Sequence, residues 1–302
     1  NAPLDIARHV LATLYPNGTI HFWRGEWYVY DAGIYRVIDE TTLAVTISPI
    51  LEKAQFQREK KDAIVTIPIV PTIALKREVM DAMKSLPGVL LPLCADAHSW
   101  IMGGHDYPAE ELIVMKRCIL HRPTRTRIPH TPHFFATSAL PFNYEPDAAE
   151  PENYTNWLMK IWPGDDGIQR TLTAEEYLGY CLQSSLDLQK ALWLIGATNG
   201  GKGVLQRLAK ALVGVENACG PTMTSLSTNF GAKCLIGKKL AIVGDVRLSG
   251  RVDVTQITER LLYILGGDLI EIDRKGIDAW GGTLGVKFIF AANKIPKLED
   301  VS

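Results

Sequence analysis

The sequence predicts an α/β protein whose carboxyl-terminal part folds as a parallel sheet flanked by helices, preceded by a smaller mixed α+β domain. Three observations carry that prediction. Between Leu172 and Ala292, short and nearly continuous apolar runs alternate with helical patterns, as strands buried on both faces require. A glycine-rich loop, Gly196 to Gly203, stands between the first of those runs and a helical pattern. Upstream, aromatic residues alternate around two glycines, the mark of a small antiparallel sheet.

Taken in order, the chain opens with a helical pattern on Ile6, Val10, Leu11 and Leu14, and the run His21 to Tyr35 reads as a β-hairpin or meander turning at Gly25 and Gly33. A more helical region with proline punctuation follows, through Ala74 to Leu86 and Ala109 to Leu120. The segment Asn143 to Asn156, rich in Pro, Glu, Asp and Asn, reads as an exposed connector, so the expected domains are 1–160 and 161–302. Beyond it the pattern predicts helix over Glu175 to Gln183, strand over Leu192 to Ile195, helix over Lys202 to Val213 and strand over Lys239 to Val243. Helix over Val254 to Leu265 and strand over Val286 to Ala292 complete it.

With 302 residues, 47% hydrophobic and 22% charged, the chain can bury a full core. A formal net charge of -1 gives no global attraction to nucleic acid, so any such binding must come from local basic segments. Five scattered cysteines, without paired short spacing, point to a reducing compartment and away from a disulfide framework. No uninterrupted apolar stretch reaches about 18 residues and the start is not that of a secretory signal, so a cytoplasmic protein without a membrane partner is expected. Asn1 at the start and a strand-and-loop pattern at the end suggest a piece of a longer chain.

The loop Gly196, Ala197, Thr198, Asn199, Gly200, Gly201, Lys202, Gly203, with Val204 behind it, has the composition of a phosphate cradle. Glycines let backbone N–H groups turn inward, a lysine ammonium reaches the terminal phosphates, and the helix that follows adds its positive end. One position departs from the pattern. The usual motif ends in Lys-Ser or Lys-Thr, whose hydroxyl holds Mg²⁺, whereas Lys202 is followed by Gly203. The second strand runs into Gly244 and Asp245, a carboxylate at the edge where open α/β sheets bind ligands, suited to Mg²⁺ or to a helix cap or turn. Asn293 ends the third strand and could set an amide beside a γ-phosphate and its attacking water, or simply make a turn before Pro296. ATP with Mg²⁺ is the expected cofactor pair.

From about residue 170 onward the chain resembles the helicase domain of phage and plasmid primase-helicases, the superfamily 3 helicases of the AAA+ class. The likeness rests on a series of segments: Tyr177 to Tyr180, Gly196 to Gly203, Asn229-Phe230-Gly231, Leu235 to Lys238, Gly244 to Arg251, Glu259 to Leu262, Gly266-Gly267-Asp268, Ile272 to Lys275, and Asn293. Residues 20–45 and Leu120 to Phe135 resemble the accessory domain that precedes the helicase in the same family. The resemblance implies an AAA+ P-loop sheet, a phosphate loop at Gly196, Gly201 and Lys202, a metal-binding acid at Asp245 and a sensor asparagine at Asn293. It further implies a DNA-gripping loop at Arg274 and Lys275, which by themselves read as the tip of a charged strand-and-turn segment, Leu269 to Gly276. A closed ring, most often a hexamer, with a neighbour's arginine completing each site, is implied too, as are single-stranded DNA as partner, a bacterial or phage-infected host cell and a primase or polymerase domain in the longer chain. The family's arginine would fall past Ser302.

Val246 stands where many AAA+ ATPases carry a water-polarising glutamate, and Gly203-Val204 lacks even a displaced hydroxyl. A catalytically weak or inactive ring-forming DNA-binding module is therefore the alternative, and a P-loop kinase without a DNA role a third. Cys94, His98, His105, Cys118 and His121 match no compact zinc spacing. The Arg- and His-rich segment Arg117 to His133 could touch nucleic acid or form ordinary loops, and Trp23, Trp27, Tyr28 and Tyr30 read as the core of their sheet rather than as base-stacking platforms.

Overall fold

The computed structural model describes residues 2–60, 63–92, 95–101, 103, 106–228, 230–246, 254–274 and 279–295. By packing, the chain forms two compact units: Asn1–Ala95 with Trp100–Gly103 and Thr131–Phe135, and Asp96–Ser99 with Gly104–His130 and Ala136–Ser302.

In the first unit, helix α1 (Ala2–Leu14) precedes the strands β1 (Ile20–Trp23), β2 (Glu26–Asp31) and β3 (Ile34–Ile38), then α2 (Glu40–Lys53), the hairpin β4 (Gln55–Lys60) and β5 (Ala63–Pro68), and α3 (Ile73–Lys84). The meander β1-β2-β3 is the one expected from its aromatics. Its turns place Arg24-Gly25 and Ala32-Gly33 at positive φ, the two-residue geometry that follows the twist of paired strands. Trp23, Tyr28 and Tyr35 are buried and close around Phe135, with ring centroids 5.2, 5.6 and 5.1 Å away, so the aromatics form the core of the sheet. The helices cover it with Ile6, Val10, Leu43, Ile47, Leu51, Val79 and Met83, spaced as buried helix faces require. Asp39 and Thr72 cap α2 and α3 by accepting the N–H of Thr42 and Leu75.

Short strands follow: β6 (Ser99–Trp100), the antiparallel meander β7 (Leu112–Val114), β8 (Ile119–His121) and β9 (Thr126–Ile128), and β10 (Phe134–Phe135), which pairs with β6. The helix expected over Ala109 to Leu120 is thereby corrected: only Ala109–Glu111 makes a helical turn, of 3₁₀ type. Leu112 and Val114 point the same way into the core, a period of two that Lys116 and Arg117 interrupt as a turn. The connector also shrinks, because α4 (Glu152–Ile161) begins inside it and buries Leu158.

The remainder of the second unit is α5 (Asp165–Leu182), β11 (Leu192–Ile195), α6 (Lys202–Val213), β12 (Ala218–Cys219), α7 (Met223–Leu226), β13 (Leu240–Val243), α8 (Val254–Gly266), the hairpin β14 (Ile270–Ile272) and β15 (Trp280–Gly282), and β16 (Lys287–Ala292). Four strands form one parallel sheet in the order β11-β16-β13-β12. It is covered on both faces. Along β16, Phe288, Phe290 and Ala292 join the core beneath α7 and α8, while Ile289 and Ala291 join the core beneath α5 and α6. That alternation inside an unbroken apolar run is why the strand was legible as doubly buried.

Tyr177 of α5 fills a gap in this sheet. Its hydroxyl accepts the N–H of Phe288 at 3.2 Å and donates to the Phe288 carbonyl at 2.7 Å, one residue before β11 begins its pairing with β16. At the other end of the strands from the glycine-rich loop, Lys239 and Lys287 are both buried. The Lys287 ammonium donates to the Gln183 carbonyl at 2.8 Å and stands 5.0 Å from the Tyr180 ring. Burial, then the charge of Lys239, pushes Lys287 down to about 7, against smaller opposing effects from Cys181 and Asp187. Burial alone pushes Lys239 down to about 8, and both lysines help hold His98 well below the usual histidine range after its own burial.

Tyr177→Phe is expected to destabilise the protein by about 1–3 kcal/mol, the cost of leaving two buried backbone groups without their partner, read from denaturant unfolding. The two lysines fix a pH dependence. Between about 7 and the ordinary lysine value the unfolded chain binds protons that the folded one refuses, so stability rises as the pH is raised through that window. Thermal midpoints should climb from pH 7 to pH 9, and Lys287→Met should flatten that rise.

Candidate functional site

The loop between β11 and α6 is built by its own backbone. The Gly196 N–H donates to the Ala292 carbonyl at 3.2 Å, tying the loop to the end of β16. Asn199 takes a left-handed conformation, the Gly200 N–H closes a turn on the Ala197 carbonyl, and Gly201 caps α6 at φ 83°. The carbonyl of Gly201 then accepts the N–H groups of Val204 and Leu205, which starts the helix. Helix geometry then gives the N–H groups of Lys202 and Gly203 no partner within α6, and they lie on the side where the helix dipole is positive, suited to an anionic ligand.

Strand order brings the other residues to this loop. Because β16 lies between β11 and β13, the ends of three strands stand side by side, carrying Gly196, Asn293 and, after Gly244, Asp245. The Lys202 ammonium donates to the carbonyls of Gly196 and Ala197 at 2.6 and 2.7 Å and to Oδ1 of Asn293 at 3.2 Å. Gln206 of α6 donates to the Val243 carbonyl at 3.4 Å, locking the helix against β13. A cleft of about 600 Å³ opens here, lined by Thr198 to Val204 together with Asp245 and Asn293. Asp245 is exposed on its wall, whereas Val246 is buried and its N–H is spent on the Ala291 carbonyl at 2.8 Å.

Three cleft residues carried no sequence signal. Trp157 and Ile161 of α4 roof the loop: a β-carbon at Gly201 would lie 3.3 Å from Cζ2 of Trp157 and 3.4 Å from Cδ1 of Ile161. Arg207 of α6 lines the cleft beside Gly203. A second cavity of about 400 Å³ adjoins, sharing Ile161, Gly200, Gly201 and Lys202 and continuing along Trp162, Arg170, Thr173 and Trp193.

Asp245 is the one cleft carboxylate among the described residues, and Gly203 offers no side-chain oxygen, so the donor set suits a Mg²⁺ ion that takes its other ligands from phosphate and water. Among the described residues no group of three His, Cys, Asp or Glu side chains is disposed to hold a metal. His98 bonds Ser138, His121 bonds Glu111 and Thr124, and His130 bonds the Met115 carbonyl, while Cys94 and His105 lie outside the described residues. The basic turn is in part described. Ile272 and Trp280 anchor the β14-β15 hairpin in the core, Arg274 is half-buried just past β14, and Lys275 lies outside the described residues. None of the described helices is long and apolar enough to cross a membrane.

The chain is similar to several known proteins. Residues 194–302 match a family of unknown function, DUF5906. The uncharacterized mitochondrial protein ymf21 of Marchantia polymorpha is 26% identical over 131 residues, 40% of this chain and 72% of that protein. Apo structures of the NrS-1 C-terminal region share the fold across 96–97% of the chain, with TM-scores of 0.51 to 0.53 and 14–15% identity. The chain spans 57% of the length of those structures.

The roof and the helix start make opposite demands on two neighbouring glycines. Gly201→Ala should lower stability by about 1–2 kcal/mol, since it forces a left-handed residue against Trp157 and Ile161. Gly203→Ala meets only the end of the Arg207 side chain and should be neutral or stabilising by up to about 1 kcal/mol. Thermal unfolding of the two variants side by side checks the contrast.

Proposed function

We propose that the second unit is the ATP-driven motor of a superfamily 3 DNA helicase, of the AAA+ class, in a phage-type replication protein. The observation that carries this reading is the strand order. With β16 between the loop strand β11 and the Asp245 strand β13, Lys202, Asn293 and Asp245 meet on one cleft, an arrangement suited to a triphosphate and its attacking water. The resemblance of Gly196 to Gly203, Asp245 and Asn293 to the helicase family's motifs supports the same conclusion, and so does the likeness to the NrS-1 C-terminal region as far as fold.

On this reading the loop amides and Lys202 neutralise the β- and γ-phosphates, and Asn293 orients water for in-line attack on the γ-phosphorus, with ADP leaving. Asp245 would hold Mg²⁺, whose charge offsets that of the phosphates. The site works between subunits of a ring, a hexamer, with an arginine of the neighbour completing it, and the hairpin bearing Arg274 moves one DNA strand as nucleotide turns over. The burial of Val246 supports a second reading, a ring-forming DNA-binding module with weak or no turnover, because no acid follows Asp245 to polarise water.

Lys202→Ala should abolish ATP binding in equilibrium titrations, and tight binding by that variant would sink the site assignment. In the unaltered protein, single-stranded DNA should stimulate ATP hydrolysis several-fold. Nucleotide and DNA binding without turnover would instead select the inert module.

A further inference from the structure

Gly203 and Arg207 stand one turn apart on the same face of α6. Side chains on a helix lean towards its amino terminus, so the residue at i+4 covers the surface beside residue i. At residue 203 that surface is bare backbone. A β-carbon there would lie 3.4 Å from Nη1 of Arg207, which places the guanidinium directly over the residue that follows the loop lysine. Both residues line the 600 Å³ cleft, with the loop backbone beside them and Asp245 and Asn293 on its other walls. No hydrogen bond or ion pair to another described residue occupies this guanidinium. Arg260 is the contrast: its guanidinium donates to the Leu226 carbonyl at 2.7 Å and serves packing.

We propose that Arg207 is a phosphate ligand of the nucleotide cleft, reaching across Gly203 to place a fixed positive charge where phosphate loops ordinarily present a hydroxyl. The proposal rests on the nucleotide reading above and adds to it a residue and a reason for the glycine. A guanidinium offers a planar fork of donors that matches two phosphate oxygens, and it needs the volume that a serine or threonine side chain at 203 would take up. A cation supplied by the chain does part of the neutralising that other loops leave to a hydroxyl-anchored metal. Triphosphate binding here should therefore tolerate loss of the divalent ion, and Arg207 should matter more for ATP than for ADP, which carries less charge at the terminal position.

The test is equilibrium binding of ATP and ADP, in Mg²⁺ and in EDTA, by the whole chain and by its Arg207→Gln, Arg207→Lys and Lys202→Ala variants. The unaltered chain should bind ATP in EDTA. Arg207→Gln should weaken that binding tenfold or more with a smaller effect on ADP, Arg207→Lys should recover part of it, and thermal unfolding should be unchanged in both, since Arg207 is exposed. If Arg207→Gln keeps full ATP affinity while Lys202→Ala loses it, or if the unaltered chain binds ATP only with Mg²⁺, the role of Arg207 is overturned and the nucleotide site stands. If the unaltered chain binds no nucleotide in either buffer, both readings fall together.

Discussion

A strand that enters a sheet between two others separates them by twice the spacing of neighbours, and β16 does this to β11 and β13. The separation opens the gap above the strand ends, and the side chain that ends the inserted strand, Asn293, stands in it. The rest of the second unit serves that placement. The core beneath α5 and α6 holds β16 from one face, the core beneath α7 and α8 holds it from the other, and Tyr177 supplies hydrogen bonds where β11 has not yet begun. The strands then present the loop at their carboxyl ends, the division of labour common to sites built on parallel sheets.

Much of this unit was legible because burial on both faces leaves few choices of residue. The runs Leu192 to Ile195, Leu240 to Val243 and Phe288 to Ala292 are nearly wholly apolar, and each is a strand within a residue of where the pattern put it. The glycine-rich loop was legible for the opposite reason, since Gly201 occupies a conformation that side chains disfavour and a chain seldom places glycines so densely without such a need. Where apolar content is shared between neighbours, the reading was poorer. The start of α5, Asp165 to Arg170, is mostly polar and exposed, so the helix announced itself only from Glu175. The stretch Ala109 to Leu120 carries enough Leu and Met to look helical, and only pairing across its turn reveals the period of two.

The cleft itself was half visible. Its floor lies in consecutive residues at strand ends, which a sequence displays directly. Its roof comes from α4, some forty residues upstream of the loop, and nothing in Trp157 or Ile161 distinguishes them from ordinary half-buried apolar residues. Arg207 was hidden differently. An arginine in an amphipathic helix is unremarkable until the residue four positions earlier is known to be a glycine facing a cleft, and the pair carries information that neither member has alone.

Lys202 helps to hold the loop in its fold. Its ammonium is held by two carbonyls of its own loop and by Asn293, so the charge is satisfied internally and the strand end of β16 is tied to the loop. On the proposed reading, a phosphate drawing the ammonium outward would compete with these bonds, and loss of the one to Asn293 would free its amide oxygen to accept from another donor, such as a water molecule. Engagement of the lysine by a phosphate and availability of the asparagine would then be two faces of one exchange of hydrogen bonds, made possible by the adjacency of β11 and β16.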